Sequence, residues 1–196
     1  MFFNYFESCF YINLKNRIDR KQSFESQFKN INTFIPRFEA ILLEKNDPIL
    51  QNKYNNFKIG CSLSHINLIK LAKRSEWKNV LIFEDDAIFC DNFLEKIDKC
   101  INDLKNINWD IFYLGGETNI ECLKQTDNLD YCPQNGGIYG THAYAVNNNF
   151  YDRIINLNPI QNSCIDVLYL HQINRDYLIS KEILVKQNKN LKSDLW

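Results

Sequence analysis

The chain has 196 residues, 45% of them hydrophobic and 14% aromatic, which suffices for one well-buried core and is short for two. Its 23 basic and 24 acidic side chains give a net charge of -1 with no block of one sign, which argues against nucleic acid as a partner. The aromatic amino terminus carries Glu7 and no basic leader, and no apolar stretch reaches the length of a membrane span. We therefore predict one cytoplasmic domain over residues 1–196, without a membrane span.

The seven cysteines are an odd number and lack the CxxC spacing of a zinc ribbon. Cys9, Cys61 and Cys90 lie in apolar segments, which favours reduced core thiols of an intracellular protein. In an oxidising compartment, Cys122 and Cys132 could instead close a loop as a disulfide. We favour the reduced state.

The first segment predicts a strand that leads into a helix. Ser8 to Leu14 is β-branched and aromatic, and Lys15 to Asn30 carries apolar residues near helical spacing. Asn13, Arg17 and Arg20 then lie at or just past the carboxyl end of the strand, where a bound nucleotide would be. The alternative is that both arginines are solvated helix charges, and for Arg20 this alternative is favoured.

The next segments predict a short strand at Thr33 to Phe38 and a polar loop with helical fragments at Glu39 to Phe57. Gly60 then interrupts the chain, and a helix capped by Ser62 is expected up to about Ser75.

Ser64 and His65 fall in the first turn of that helix. A histidine at such a position is more often a structural hydrogen-bonding residue than a ligand or base. Both interpretations stay open from the sequence.

The stretch from Val80 to Cys90, VLIFEDDAIFC, is the centre of the predicted sheet. Its apolar start suits a strand buried on both faces, so Glu84, Asp85 and Asp86 should emerge where such sheets bind ligands. Adjacent carboxylates repel one another, and a hard divalent cation that bridges to a phosphate is the simplest neutralising partner. The alternative is a solvated acidic turn.

The chain after this motif predicts an amphipathic helix at Asp91 to Leu104 with Asp91 as its cap, and a buried strand at Trp109 to Leu114. Gly115 and Gly116 end that strand where the backbone bends sharply or approaches something closely. Glu117 to Gly137 is long and polar, and we expect a mobile loop that orders over a bound donor.

The last third continues the alternation of strands and helices. We predict a strand at Ile138 to Val146, helices at Asn147 to Leu157 and Asp166 to Arg175, and one or two short strands at Tyr177 to Val185. The whole pattern predicts an α/β sandwich whose central sheet is mainly parallel.

Six blocks together resemble glycosyltransferase family 25: INLKNRIDR (12–20), GCSLSH (60–65), VLIFEDD (80–86), WDIFYLGG (109–116), GTHAYAV (140–146) and QNKNLKSDL (187–195). That family includes bacterial lipo-oligosaccharide sugar transferases and the collagen galactosyltransferase branch. The resemblance implies a single-domain GT-A-like (Rossmann-like) fold, a UDP-sugar donor, a saccharide or glycoprotein acceptor, inversion at the anomeric carbon and a role such as lipopolysaccharide biosynthesis.

The resemblance also implies roles for individual residues. The acidic motif falls on Glu84, Asp85 and Asp86, which would hold Mn²⁺ or Mg²⁺ against the diphosphate of the donor. The other donor-binding positions are Asn13, Leu14, Arg17, Arg20, Ser64, His65, Gly140 and Thr141. Two departures from the family pattern are that the acidic run is not a strict Asp-x-Asp and that the chain is short.

An inverting transferase also needs a carboxylate base, because the acceptor hydroxyl must lose its proton as it attacks. In the family pattern, an Asp in the segment after the Gly-Thr block falls on Asp166, which is our first choice for the base. Glu117 is the second choice. The alternative for Asp166 is that it only caps the helix that follows it.

Two other classes of function compete with sugar transfer. A strand that ends in acids also occurs in receiver domains and metal-dependent phosphatases, where Asp85 or Asp86 would be a nucleophile. A non-catalytic nucleotide-sugar or glycan-binding module is the second alternative.

Overall fold

A computed structural model describes residues 4–28, 34–44, 47–48, 56–160 and 164–191. The strands are β1 (Ser8–Asn13), β2 (Arg37–Glu39), β3 (Asn79–Glu84), β4 (Ala87–Phe89), β5 (Ile111–Tyr113), β6 (Glu117–Thr118), β7 (Leu123–Lys124), β8 (Leu129–Cys132), β9 (Ile138–Tyr139), β10 (Ala143–Asn147), β11 (Tyr177–Ser180) and β12 (Val185–Gln187). The helices are α1 (Ile18–Ser26), α2 (Asn56–Arg74), α3 (Phe93–Leu104), α4 (Tyr151–Ile155) and α5 (Ile165–Leu170).

The central sheet has eight strands in the order β2-β1-β3-β10-β5-β11-β8-β7. Within the described residues, six of these strands run in one direction, and β10 and β8 run in the other. The α/β class is confirmed. The sheet is less parallel than expected, because each reversed strand is paired with a neighbour on both sides, which makes four of the seven neighbouring pairs antiparallel.

Strand β3 shows why the sheet is buried on both faces. Leu81 and Phe83 enter a core cluster that includes residues of α1 and α3. Val80 and Ile82 point the other way, into a cluster with residues of α2, α4 and α5. Since side chains alternate along a strand, an unbroken apolar run here supplies both layers of the sandwich, as the sequence predicted.

Helix α2 begins earlier than expected, at Asn56, so Gly60 and Ser62 lie inside it and Ser62 is not its cap. Packing explains the glycine. A Cβ atom on Gly60 would lie 2.6 Å from the carbonyl oxygen of Ile41, so the missing side chain lets the segment before α2 rest directly on the helix. The predicted cap of α3 is also wrong, because Asn92 precedes this helix and no side chain caps it.

The predicted loop from Glu117 to Gly137 contains regular structure. Strand β6 pairs with β9 at its base, and the hairpin of β7 and β8 joins the edge of the central sheet through β11. Strands of two to four residues are too short to show an alternating pattern, so the sequence did not reveal them.

Several other boundaries differ from the sequence prediction. The strand expected at Ile138 to Val146 is divided into β9 and β10, because Gly140 between them has a φ of +92°. A 3₁₀ turn precedes the short helix α4, and α5 ends at Leu170. The predicted strand at Thr33 to Phe38 lies partly outside the described residues, and β2 occupies Arg37–Glu39. No described helix combines the length and hydrophobicity that a bilayer crossing requires.

Candidate active site

The site lies at one edge of the central sheet, where β1 and β3 end and β10 begins. Strands β1 and β3 are parallel, with Ile12 opposite Glu84, so their carboxyl ends meet. Strand β10 runs the other way, with Ala143 opposite Phe83, and therefore brings its amino end to the same edge. This topology gathers Asn13, the three acids and Thr141 at one place.

Asp85 is buried and held by two residues from the amino-terminal segment. Asn13 Nδ2 donates to its Oδ2 at 2.7 Å, and Arg20 Nη1 donates to its Oδ1 at 2.7 Å. Burial raises the pKa of Asp85, and Arg20 and Asn13 oppose that shift. Arg20 is 7% exposed, so the favoured alternative of a solvated helix charge is wrong for this residue.

Asp86 is also buried, but only one of its two carboxylate oxygens accepts hydrogen bonds from described residues. Its Oδ2 accepts from Gln187 Nε2 at 3.2 Å and from Arg20 Nη1 at 3.4 Å. Within the described part of the chain its Oδ1 is buried and accepts no hydrogen bond. Burial and the charge of Glu84 raise the pKa of Asp86 to about 7. A buried acceptor without a donor is the arrangement expected of a carboxylate that awaits a cation.

Glu84 is the most accessible of the three acids. Thr141 Oγ1 donates to its Oε1 at 2.7 Å, and His65 Nε2 lies 3.5 Å from the same oxygen. Burial alone would raise the pKa of Glu84, but the contacts with His65 and Thr141 outweigh it and lower the pKa to about 2. Glu84 is therefore ionised at neutral pH.

His65 is fully buried and belongs to a polar chain inside the protein. Its Nδ1 lies 2.8 Å from the hydroxyl of Tyr144, which lies 3.1 Å from that of Tyr169. The ring is thus held at Nδ1 by Tyr144, while its buried Nε2 faces Glu84 at 3.5 Å without forming a well-aligned hydrogen bond to any described residue. This arrangement supports the structural interpretation of His65, in which it orients Glu84 rather than reacting itself.

Two sets of side chains at this edge could hold a metal ion. Among the described residues, ligand atoms of Cys61, His65 and Glu84 lie within 4.8 Å of one another. Glu84 and Asp86 also line the same two cavities at this edge and offer carboxylate oxygens alone, so they are the oxygen-only alternative. The first set contains a thiol and an imidazole, which suit Zn²⁺ or another softer ion. The oxygen set is the one that suits Mg²⁺ or Mn²⁺.

Asp166 lies in the first turn of α5, and Cys164 occupies the N-cap position, so Asp166 is not the cap of this helix. Its Oδ1 accepts from the backbone N–H of Val167 at 2.8 Å, and its Oδ2 accepts from that of Gly140 at 3.3 Å. These bonds hold the carboxylate against the segment that also carries Thr141. The side chain lines the larger of the cavities described next.

Two cavities meet over the acids. The larger, about 620 Å³, has a polar lining that includes Lys58, Asp166 and Lys189. The smaller, about 90 Å³, lies beside the apolar residues Ile12 and Leu42. The two cavities have five lining residues in common: Arg20, Cys61, Glu84, Asp86 and Gln187.

The remaining predicted residues have mixed surroundings. Leu14 and Ser64 line the smaller cavity, but the Ser64 hydroxyl accepts from Ile41 N at 2.8 Å and donates to Gly60 O at 2.7 Å, so it fixes the cavity wall. Arg17 forms an ion pair with Asp19. Glu117 is exposed on β6, outside the sets of described residues that line the two cavities.

Sequence reasoning missed the role of the end of β12 and of the residues that follow it. Gln187 binds the Asp86 carboxylate, and the backbone N–H of Asn188 donates to the Asp86 carbonyl at 2.7 Å. Lys189 lines the larger cavity. The polar block at 187–195 was the available clue, although its residues 192–195 lie outside the described part of the chain.

A protein-family model described as "Glycosyltransferase family 25 (LPS biosynthesis protein)" matches residues 6–169. The chain is 29% identical over 162 residues to a "Glycosyltransferase 25 family member" of Drosophila melanogaster. This alignment covers 71% of the present chain and 26% of the Drosophila protein. The chain is 26% identical over 177 residues to procollagen galactosyltransferase 2 of Homo sapiens, covering 79% and 28% of the two chains.

A third relative, named inactive glycosyltransferase 25 family member 3 of Homo sapiens, is 30% identical over 103 residues, or 51% of this chain and 17% of that one. The chain thus spans between 17% and 28% of the length of these three relatives. A solved structure of a glycosyltransferase involved in glycosylation of the major capsid of PBCV-1 superposes with a TM-score of 0.49 at 10% identity, over 88% of this chain and 80% of that one.

Proposed function

The chain belongs to glycosyltransferase family 25, and from this premise we propose that it transfers a hexose, galactose or glucose, from a UDP-sugar to a hydroxyl group. The acceptor class we propose is a saccharide or glycoprotein. The name of the human procollagen galactosyltransferase makes UDP-galactose the first donor to test, and the family's description as lipopolysaccharide biosynthesis proteins makes a saccharide the first acceptor.

The proposal rests on one observation: a polar cavity and a cavity with an apolar wall adjoin at Glu84 and Asp86, which line both. A nucleotide-sugar has a flat base on a ribose, an anionic diphosphate and a polar sugar in that order. The smaller cavity offers an apolar wall for the base, the shared residues include Arg20 and two acids for the diphosphate, and the larger cavity offers room for the sugar and the acceptor.

The smaller cavity, about 90 Å³, is well below the roughly 300–1,000 Å³ of typical ligand pockets, so we expect its wall to move when a uridine enters. Leu42 and Phe57, which line it, are 49% and 38% exposed. They are the two exposed apolar side chains of its lining and are therefore the residues we expect to move when the base enters.

The residues present fit a divalent ion. Glu84 and Asp86 would hold it, the latter through the buried Oδ1 that has no hydrogen-bond donor among the described residues. Asp85 would act differently, because both of its oxygens already accept bonds, and it positions Arg20 and Asn13. When bound, Mn²⁺ or Mg²⁺ neutralises charge that develops on the leaving diphosphate. Arg20 remains beside the acids as a second, permanent cation.

Asp166 is the base in this proposal. Its carboxylate lines the larger cavity, as do Glu84 and Asp86, so an acceptor bound there can reach it. The acceptor hydroxyl would give its proton to Asp166 while its oxygen attacks the anomeric carbon and the UDP oxygen departs, which inverts that carbon in one displacement. The bond from Gly140 N–H keeps the carboxylate in place.

Titration calorimetry of UDP with Mn²⁺ tests the metal assignment. Asp86→Ala should weaken Mn²⁺-dependent UDP binding at least tenfold, because it removes the free carboxylate oxygen. The matched control is Asp91→Ala, an exposed acid five positions along the chain, which should bind as the wild type does. Thermal melting without metal should show both variants folded. Equal Mn²⁺-dependent affinity in the wild type and Asp86→Ala would contradict the proposal.

A second candidate is a module that binds the donor without catalysis, and the relatives named inactive favour keeping it. The two functions differ in turnover. Mn²⁺-dependent hydrolysis of UDP-galactose, abolished in Asp86→Ala, would support an enzyme. Tight, metal-dependent binding of the donor with no hydrolysis and no transfer to any saccharide tested would support the module.

A further inference from the structure

Cys122 and Cys132 face each other across the β7–β8 hairpin. The hairpin register pairs Leu123 with Tyr131 and Lys124 with Asp130, so the next pair toward the base is Cys122 with Cys132. Neither thiol belongs to the site described above, and both are free.

The register also fixes the kind of pair. Gln125 N donates to Leu129 O at the tip, and hydrogen-bonded and non-hydrogen-bonded pairs alternate along an antiparallel ladder. The cysteines therefore form a non-hydrogen-bonded pair, whose Cα atoms are typically about 4.5 Å apart. That separation lies inside the range that a disulfide bridges, roughly 4.4–6.8 Å.

The side chains also meet. Cys132 is buried in the core cluster shared with α5, and Cys122 packs against the same cluster, so both point to one face of the sheet. The two thiols are in hydrogen-bond contact. A bond between the sulfurs would need little movement of the backbone.

We propose that Cys122 and Cys132 form an intramolecular disulfide when the folded chain meets a small-molecule disulfide such as oxidised glutathione. The Cys122 thiolate attacks one sulfur of the reagent and releases one small thiol. The Cys132 thiolate then attacks the Cys122 sulfur of the mixed disulfide and releases the second. Two protons and two electrons leave the protein, and two small thiols are formed.

The surroundings favour a slow but durable cross-link. Burial, followed by the neighbouring Cys132, raises the pKa of Cys122 to about 11, so little thiolate is present at neutral pH and oxidation is slow. Cys132 is fully buried, so a reductant can attack only the partly exposed sulfur of Cys122, and this limited access slows reduction. The site therefore suits a structural staple more than a fast redox sensor.

The disulfide would affect Asp166, the proposed general base, through the packing between the hairpin segment and α5. The disulfide would close the β7–β8 hairpin, which lies between β6 and β9 in the chain, and these two strands pair with each other. Strand β9 in turn lies against α5, the helix that carries Asp166. Cys132 shares its cluster with Ile165, Leu168 and Tyr169 of that helix. Oxidation should stabilise this part of the fold without adding a group to either cavity.

The test uses the full chain, incubated with oxidised glutathione, alkylated under denaturing conditions and digested for mass spectrometry. We expect a peptide pair joined between Cys122 and Cys132 with the loss of two hydrogens, and a melting temperature raised by roughly 5–10 °C. Cys122→Ser should lose both the cross-link and the shift between oxidised and reduced samples. Cys90→Ser, which removes another partly exposed thiol, should retain both.

Cys132→Ala serves as a second variant in case Cys122→Ser folds poorly, and it should likewise abolish the cross-link. Alkylation of both thiols after oxidation of the native wild type would overturn the proposal. So would a cross-link that joins Cys122 or Cys132 to any other cysteine, or an oxidised Cys122–Cys132 pair that leaves the melting temperature unchanged.

Discussion

Arg20 Nη1 donates a hydrogen bond of 2.7 Å to Asp85 Oδ1, although 65 residues separate the two in the sequence. Both side chains are 9% exposed. The protein thus carries its own counter-charge for the middle acid of the motif. In the proposed function, only the two outer acids, Glu84 and Asp86, are therefore assigned to the divalent ion.

Arg20→Met should be strongly destabilising, because it leaves buried carboxylates without their cation. We expect urea denaturation at pH 8 to show a loss of about 3–5 kcal/mol, the usual cost of removing one partner of a buried pair. The loss should shrink at pH 5, where the carboxylates can take up protons. The control Lys99→Met breaks an exposed ion pair with Glu95 and should leave the unfolding midpoint unchanged. Equal effects of the two variants would refute the role of Arg20.

Asp86 predicts an unusual dependence of stability on pH in the metal-free protein. Its pKa is raised to about 7 in the folded state, whereas the unfolded value is near 3.8. The folded state therefore binds more protons between these values, and the contribution of Asp86 to stability falls as the pH rises through that window, by up to about 1.4 kcal/mol per unit.

Denaturation in the presence of a chelator, from pH 5 to pH 7, measures this slope. Asp86→Asn cannot titrate at this position, so the difference in stability between Asp86→Asn and the wild type should grow in favour of the variant as the pH rises. A difference that stays constant across the range would show that Asp86 titrates normally.

Asp166→Asn should reduce sugar transfer by roughly two to four orders of magnitude, because an amide cannot accept the acceptor proton. Affinity for the donor and the melting temperature should change little, since Asn can still accept a bond from Gly140 N–H. Glu117→Gln is the matched comparison, and its exposed position predicts near-normal transfer. If Glu117→Gln is the slower enzyme, the base has been assigned to the wrong carboxylate.

Gly60→Ala should reverse the usual effect of such a change inside a helix. Alanine normally gains about 1 kcal/mol over glycine in a helix interior. Here its Cβ would press on the Ile41 carbonyl at 2.6 Å, so we expect a loss of about 1–3 kcal/mol. Binding of UDP should also weaken, because Ile41 lines the smaller cavity. Calorimetric melting checks the sign, with the exposed Lys70→Ala as the control for α2. A stabilised Gly60→Ala would contradict the close approach.

The sequence was sufficient for β3 and the acidic edge, because an unbroken apolar run and three consecutive acids leave few arrangements open. It could not decide whether Arg20 is solvated, since its burial depends on where α1 packs beside the end of β3. Gln187 reaches Asp86 across 101 residues, a contact that no local pattern encodes. Gly60 looked like a helix breaker because intrinsic propensity argues so, and contact with Ile41 outweighs that propensity.

The alternation along β3 has a consequence for how this protein can change. Suppose that one residue between Val80 and Phe83 is deleted. If the acids keep their places, each apolar side chain before the deletion moves to the opposite layer of the sheet. If the apolar residues keep their places, Asp85 moves into the position of Glu84, beside Thr141 and His65. A substitution can be accommodated contact by contact, but a shift in register alters every contact at once. In a mutant library, residues 80–83 should therefore accept exchanges among apolar side chains, whereas the whole stretch 80–86 should reject almost every insertion or deletion.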